Sequence, residues 1–210
     1  MVNYKFYKFL STLYSRLWNL FCKLLHNRNS TVVLIPKGKG DYRGIGLVEV
    51  MWKVVAVILN RRLTSSITLH DVLHGFRAGR GTGTATLKAK LLQQLAAMRE
   101  EVLYVIFLDL TKAYDALDRS RCLDILEGYG VGPGARRLLI NYWRRLTMAA
   151  RAGGYYGTTF GGERGVTQGD PMSPTLFNVV VDAVVRRHSP FSTERRRVAI
   201  NKVVAVNQEI

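Results

Sequence analysis

Hydrophobic and polar positions divide the chain into short periodic segments separated by glycine-rich ones. Over residues 4–25, Phe6, Phe9, Leu10, Leu13, Leu17, Leu20, Phe21 and Leu24 recur at helical spacing with Lys5, Lys8, Arg16 and Lys23 between them. This predicts an amphipathic helix, docked on the core or, as the alternative, on a membrane surface or partner. Residues 31–36 (TVVLIP) read as a strand, and residues 37–46 (KGKGDYRGIG) as a basic, flexible loop. Residues 47–67 predict a largely buried helix with Met51, Val54, Val55, Ile58 and Leu59 on one side. A glycine loop at 74–83 (HGFRAGRGTG) precedes a second amphipathic helix over 84–99, with Leu87, Leu91, Leu92, Leu95 and Met98 in register.

Residues 102–110 (VLYVIFLDL) form a continuous β-branched and aromatic run, and its lack of alternation predicts a core strand covered on both faces. Asp118 or Ser120 can cap a helix reaching to about Tyr129, and Pro133 can open another to about Leu146. Residues 147–163 have the β-formers and glycine pairs of a hairpin. After a loop at 165–173, Ser173 and Pro174 make an N-cap and first-turn pair for a helix to about Arg187. On that helix Asp182 falls away from Phe177, Val181 and Val184 and reads as solvated. Strands and helices mix without a regular βαβ repeat, so the expected class is α+β.

Charge narrows the partner class. The 210 residues carry 31 Lys+Arg against 15 Asp+Glu, a formal +16, and residues 1–99 hold 16 basic against 3 acidic side chains. A field of that sign and asymmetry favours phosphate backbones, with anionic lipid or acidic protein as alternatives. At 48% hydrophobic and 22% charged the composition is that of a globular chain. Cys22 and Cys122 stand alone, without the spacing of a disulfide framework or a zinc site, so a reducing, cytoplasmic setting is expected. Residues 9–25 are broken by Arg16 and Lys23, which argues against a transmembrane span, and they lack a signal-peptide cleavage site.

Candidate chemistry begins with Asp109, at the end of an otherwise apolar run, where an ionised carboxylate is costly unless compensated. A hard divalent cation such as Mg2+ compensates it; turn amides do so in the alternative reading. Tyr114 follows five residues on, as a core ring or as a wall against a sugar, while Asp115 reads as a turn or cap residue. In RGVTQGDPMSP, Gln168 can both donate and accept, as a base or sugar contact requires, unless the segment is a plain helix-entry turn. Lys37, Lys39 and Arg43 can wrap a triphosphate or a nucleic-acid backbone, or belong to a solvated loop. Arg77 and Arg80 suit phosphate contacts, although GRGTG fits neither the dinucleotide nor the P-loop pattern. His70 and His74 lack an HExxH context.

LIPKGKGDYR, HGFRAGRGT, FLDLTKAYDAL and GVTQGDPMSPTLFN, in that order, resemble successive blocks of reverse transcriptases, most like those of group II introns and related bacterial retroelements. The resemblance spans about residues 31–187. It implies a right-hand polymerase with fingers over 31–101 and an incomplete palm over 102–188, an antiparallel sheet with packed helices; residues 1–30 and 189–210 match nothing in it. It further implies Asp109 as catalytic carboxylate and first Mg2+ ligand, and Tyr114, beside Ala113, as the gate that senses the sugar 2'-position. Lys37 and Arg43 then grip the incoming triphosphate, Gln168 and Gly169 form the loop beneath the nascent base pair, and Lys39, Arg77 and Arg80 contact nucleic acid. The implied chemistry is two-metal phosphoryl transfer, and the implied partners are an RNA template and primer duplex, a deoxynucleoside triphosphate and intron RNA.

Departures from the pattern carry expectations too. The family's Tyr-x-Asp-Asp hairpin has no counterpart, since the chain holds no Asp-Asp pair, and the thumb is missing. Gly44 stands where the family usually has proline, which loosens the fingers loop. One carboxylate leaves two close Mg2+ ions with too little negative charge between them. The expectation is a truncated copy without polymerase activity of its own, with a non-catalytic RNA-binding module or a non-functional remnant as alternatives.

Overall fold

The structure, a computed structural model, describes residues 29–38, 41–105, 107 and 109–188. The helix expected over 4–25, Lys39, and the tail from 189 lie outside the described residues. Four strands and five helices follow in order: β1 (Asn29–Gly38), β2 (Asp41–Leu47), α1 (Val50–Ser66), α2 (Thr82–Met98), α3 (Arg119–Gly128), α4 (Pro133–Arg145), β3 (Thr147–Ala152), β4 (Tyr155–Gly161) and α5 (Ser173–His188). The class is the expected mixture of helix and sheet.

One sheet, ordered β2-β1-β3-β4, holds all four strands. β1 and β2 pair antiparallel from Thr31↔Leu47 to Gly38↔Asp41, with a bulge at Lys37. β3 and β4 form the expected hairpin, turned by Gly153 and Gly154 at φ +57° and +86°, a conformation glycine adopts without strain. β3 then joins β1 in parallel, Asn29↔Thr147 to Val33↔Arg151, so the sheet is mixed rather than wholly antiparallel. The long connection between β1 and β3, which contains four helices, is what permits a parallel pair.

Three elements differ from the sequence reading. Residues 41–46, part of the expected flexible loop, and Leu47, the expected helix start, are strand β2, and the glycines serve close approach: a Cβ at Gly44 would stand 2.9 Å from Val32 Cγ1. On α1 the buried face is Trp52, Val55, Ala56, Leu59 and Leu63, whereas Met51, Val54 and Ile58 face outward. The described residues of 102–110 are not a core strand. They are irregular, and Tyr104 and Phe107 are 87% and 89% exposed. The apolar run satisfies the side-chain requirement of a buried strand, but a strand also needs a backbone partner, and among the described residues none pairs with this segment.

The core lies between α1, α3, α4 and α5. Trp52 stacks on Tyr142 with ring centroids 3.6 Å apart, and Cys122, Leu126, Leu139, Met172, Leu176 and Val179 are almost wholly buried around them. Cap chemistry placed the boundaries: Asp118 Oδ1 accepts from the amides of Ser120 and Arg121 at 2.9 and 3.1 Å, and Pro133 opens α4. Ser173 does not cap α5 as expected; its hydroxyl donates to the Thr167 carbonyl at 2.7 Å, and Met172 carries the capping carbonyl. α2 stands apart, with only Ala85 buried, so its stripe of Leu87, Leu91, Leu95 and Met98 is exposed. Among the described residues no helix is long and apolar enough to cross a membrane.

Candidate functional site

Residues 162–172 join the sheet to the helical core, and several predicted site residues gather around them. The Gly46 amide at the end of β2 donates to the Gln168 carbonyl at 2.7 Å. Gly169, at φ +113°, lies so close that a Cβ there would run into the Gly46 carbonyl, and one at Gly46 would meet Thr167. Ile45 faces Gly169 and, two residues away, Arg43 shares its side of β2. Lys37 is exposed at the bulge of the neighbouring strand.

The opposite flank is the turn that carries Tyr114. Gly165 N donates to Leu117 O at 2.8 Å and Val166 N to Tyr114 O at 2.9 Å. A side chain at Gly165 would stand 2.8 to 2.9 Å from the Tyr114 and Asp115 backbone. Tyr114 meets Phe177 edge to face at 5.4 Å and, like Ala113, is half-buried against the core. The structure thus brings Arg43, Ala113, Tyr114, Gln168 and Gly169 onto elements that touch through one loop.

Side chains absent from the sequence reading hold that loop. Arg119 donates from Nε to Gly165 O at 2.8 Å and from Nη1 to Gly162 O, while its guanidinium lies 5.5 Å from the Trp143 ring centre. Burial holds the Arg119 pKa below the ordinary guanidinium range. Asp170, 6% exposed, accepts from Trp52 Nε1 at 2.6 Å and from Met172 N at 2.8 Å. Desolvation raises its pKa against the opposing pull of those bonds.

A second cluster organises the loop between α1 and α2. Asp182 is not solvated but fully buried, and its carboxylate accepts from the His70 amide at 2.5 Å, from Arg186 Nε at 2.6 Å and from the Tyr129 hydroxyl. Burial pushes its pKa up, but the Tyr129, Arg186 and His70 bonds outweigh burial and leave it below the ordinary carboxylate value. Tyr129 is pushed up to about 12 by burial and then by this carboxylate. One turn along α5 either way, Asn178 Nδ2 donates to Gly75 O at 2.8 Å and Arg186 Nη2 to Thr68 O at 2.9 Å. Three positions spaced by four on α5 therefore staple Thr68, His70 and Gly75.

Within that loop Arg77 donates to His70 O and Leu73 O at 2.8 and 3.1 Å, and Arg80 pairs with Asp71 at 2.7 Å. Both guanidinium groups thus build the loop as well as charging it. The signal for Asp182 was present: an acid set in NVVVDAVV lies on a helix that is apolar nearly all round, which favours a paired, buried carboxylate over a solvated one. Trp52 and Arg119 had no such flag, because their partners are distant in sequence.

Asp109 is exposed on the irregular segment. Among the described residues no group of three His, Cys, Asp or Glu side chains is placed to hold a metal ion. The donor set described here therefore does not fit a two-ion magnesium centre by itself.

Comparison with known proteins identifies the family. A profile of the reverse transcriptase (RNA-dependent DNA polymerase) family matches residues 35–198. The Drosophila melanogaster retrovirus-related Pol polyprotein from type-2 retrotransposable element R2DM is 30% identical over 164 residues, which cover 76% of this chain and 16% of that protein. A Pol polyprotein from a type-1 retrotransposable element R2 of Nasonia vitripennis gives the same identity and coverage. A reverse transcriptase-like protein of Chlamydomonas reinhardtii is 30% identical over 160 residues, 75% of this chain and 41% of its own length. The chain thus spans about a sixth of the length of the two Pol polyproteins. With a family profile covering most of its length, the chain belongs to the reverse transcriptase family.

Proposed function

We propose that this chain is the fingers and part of the palm of a retroelement RNA-directed DNA polymerase, which hold template, primer and incoming deoxynucleotide. The observation that carries the reading is the backbone junction at Gly46, Gln168 and Gly169, continued through Val166 to Tyr114. It sets an amide-bearing loop between a strand that carries Arg43 and a half-buried tyrosine, a geometry suited to a base pair with its sugar and phosphates. In this reading residues 31–101 act as fingers and 102–188 as palm. Lys37 and Arg43 neutralise triphosphate, Tyr114 with Ala113 walls the sugar, Gln168 and Gly169 underlie the base, and Asp109 is the chain's contribution to a magnesium centre. Similarity to R2 elements supports a retrotransposon source over the group II intron type that the motif strings suggest.

No reaction step is assigned to the chain alone. One exposed carboxylate cannot neutralise two adjacent divalent ions. Purified protein is therefore expected to retain a labelled deoxynucleoside triphosphate on an RNA template with annealed primer, yet to extend the primer no faster than a protein-free control. Gly169→Val, which drives a side chain into the Gly46 carbonyl, is expected to abolish retention. Robust Mg2+-dependent extension that Asp109→Ala removes would overturn the inactive reading. A second reading, a non-catalytic RNA-binding module, is favoured by the exposure of Asp109; it requires RNA binding with no template-dependent retention of nucleotide.

A further inference from the structure

The loop after α1 holds a residue whose conformation no packing explains. Phe76 has φ +50°, a left-handed backbone that a bulky side chain rarely adopts, and its ring is not driven there by burial, being 51% exposed. Both neighbours are fixed. The Gly75 carbonyl accepts from Asn178 on α5, and the Arg77 guanidinium folds back onto His70 and Leu73. The staple at His70 by the buried Asp182 anchors the start of the loop, and about half of the Phe76 surface stays open to solvent.

Around this ring the chain is cationic. Arg77 and Arg80 belong to this loop and Lys88 follows on α2, and after burial their charges make His74 harder to protonate. The one acid of the loop, Asp71, is neutralised by Arg80. A preset, exposed aromatic face in a positive field is complementary to a flat, electron-rich ring attached to a phosphate chain.

We propose that Phe76 is a stacking platform for an unpaired nucleobase of single-stranded RNA, with Asp182 and Asn178 as the positioning residues that hold it out. The proposal rests on the RNA-binding reading above and adds to it a specific contact. An unpaired strand is required because bases within a duplex already have both faces covered. Arg77 and Lys88, which have no acidic partner among the described residues, supply sequence-independent attraction, and the ring supplies the preference for single strands.

The test uses the full chain and two labelled probes, an adenylate octamer and a blunt RNA duplex of equal length, followed by fluorescence anisotropy. Phe76→Ala is expected to weaken octamer binding about tenfold, the order of one lost stacking contact, with duplex binding and the salt dependence unchanged. Phe76→Tyr is expected to bind as the parent does, and the emission of Phe76→Trp to be quenched by the octamer. Phe76→Gly separates this role from a structural one: it relieves the left-handed backbone, so it should melt no lower than the parent while binding as weakly as the alanine variant. Parent-like octamer binding by Phe76→Ala, or unquenched emission at saturation, overturns the stacking proposal alone. Failure of the parent to bind either probe at low salt removes the RNA-binding reading with it.

Discussion

Asp182 illustrates how much a single buried charge determines. Its carboxylate has three donors from three segments, so replacing it by asparagine puts an amide where one oxygen stood and leaves a donor without an acceptor. Asp182→Asn is expected to cost about 3 kcal/mol at neutral pH. Because the folded pKa lies below the unfolded value, this stabilisation is complete above about pH 5 and is lost as pH falls through the folded pKa. The gap in Tm between parent and variant should therefore close on acidification; a gap constant down to strongly acid pH would mean the ionised form is not what matters. Asp170 acts in the opposite sense, its raised pKa making the ionised form a neutral-pH cost. Sequence reading placed Tyr114, Gln168 and Gly169 correctly on turns, because their neighbours are local turn-formers, but it had no access to partners such as Trp52 for Asp170, 118 positions away.

At the scale of elements, caps were legible and faces were not. Asp118 and Pro133 marked helix starts through interactions within three residues, which the local sequence contains. The face that α1 buries depends on Tyr142 and Asp170 lying against Trp52, a tertiary fact that a count of apolar positions cannot resolve on a helix rich in valine. β2 was hidden because its glycines signal a loop when no neighbour is known and a close-packed strand once Val32 and Thr167 are in place. The run over 102–110 misled in the other direction, since it has a strand's composition without a strand's partner. Chymotrypsin is accordingly expected to cut the native chain first after Tyr104 or Phe107, identifiable by mass spectrometry, well before the buried Tyr142 and Phe177. Protection of that segment in the native chain would show that something pairs with it.

For the molecule as a whole, charge is the most transferable property. With +16 overall and most of the excess before residue 100, RNA binding should fall on the order of a hundredfold between about 50 and 200 mM salt, read from a log–log plot of affinity. A flat plot would point instead to a partner without phosphates. Apolar surface is the complementary feature: Val50 and Val54 on α1, Leu87, Leu91 and Leu95 on α2, and Tyr104 with Phe107 are all exposed. The two R2 Pol polyproteins are several times longer than this chain.

The junction of Gly46 with Gln168, like the pairing of Asn29 with Thr147, ties the start of the described chain to its far end. During synthesis on the ribosome the first hairpin emerges long before either partner exists, so one edge of β1 must wait exposed while about half of the chain is made. Such distant pairings are late and slow to form, and a nascent chain in that interval presents an open strand to its neighbours. The same contacts that seat the Gln168 loop therefore close the sheet only after the strands and helices between them have been made.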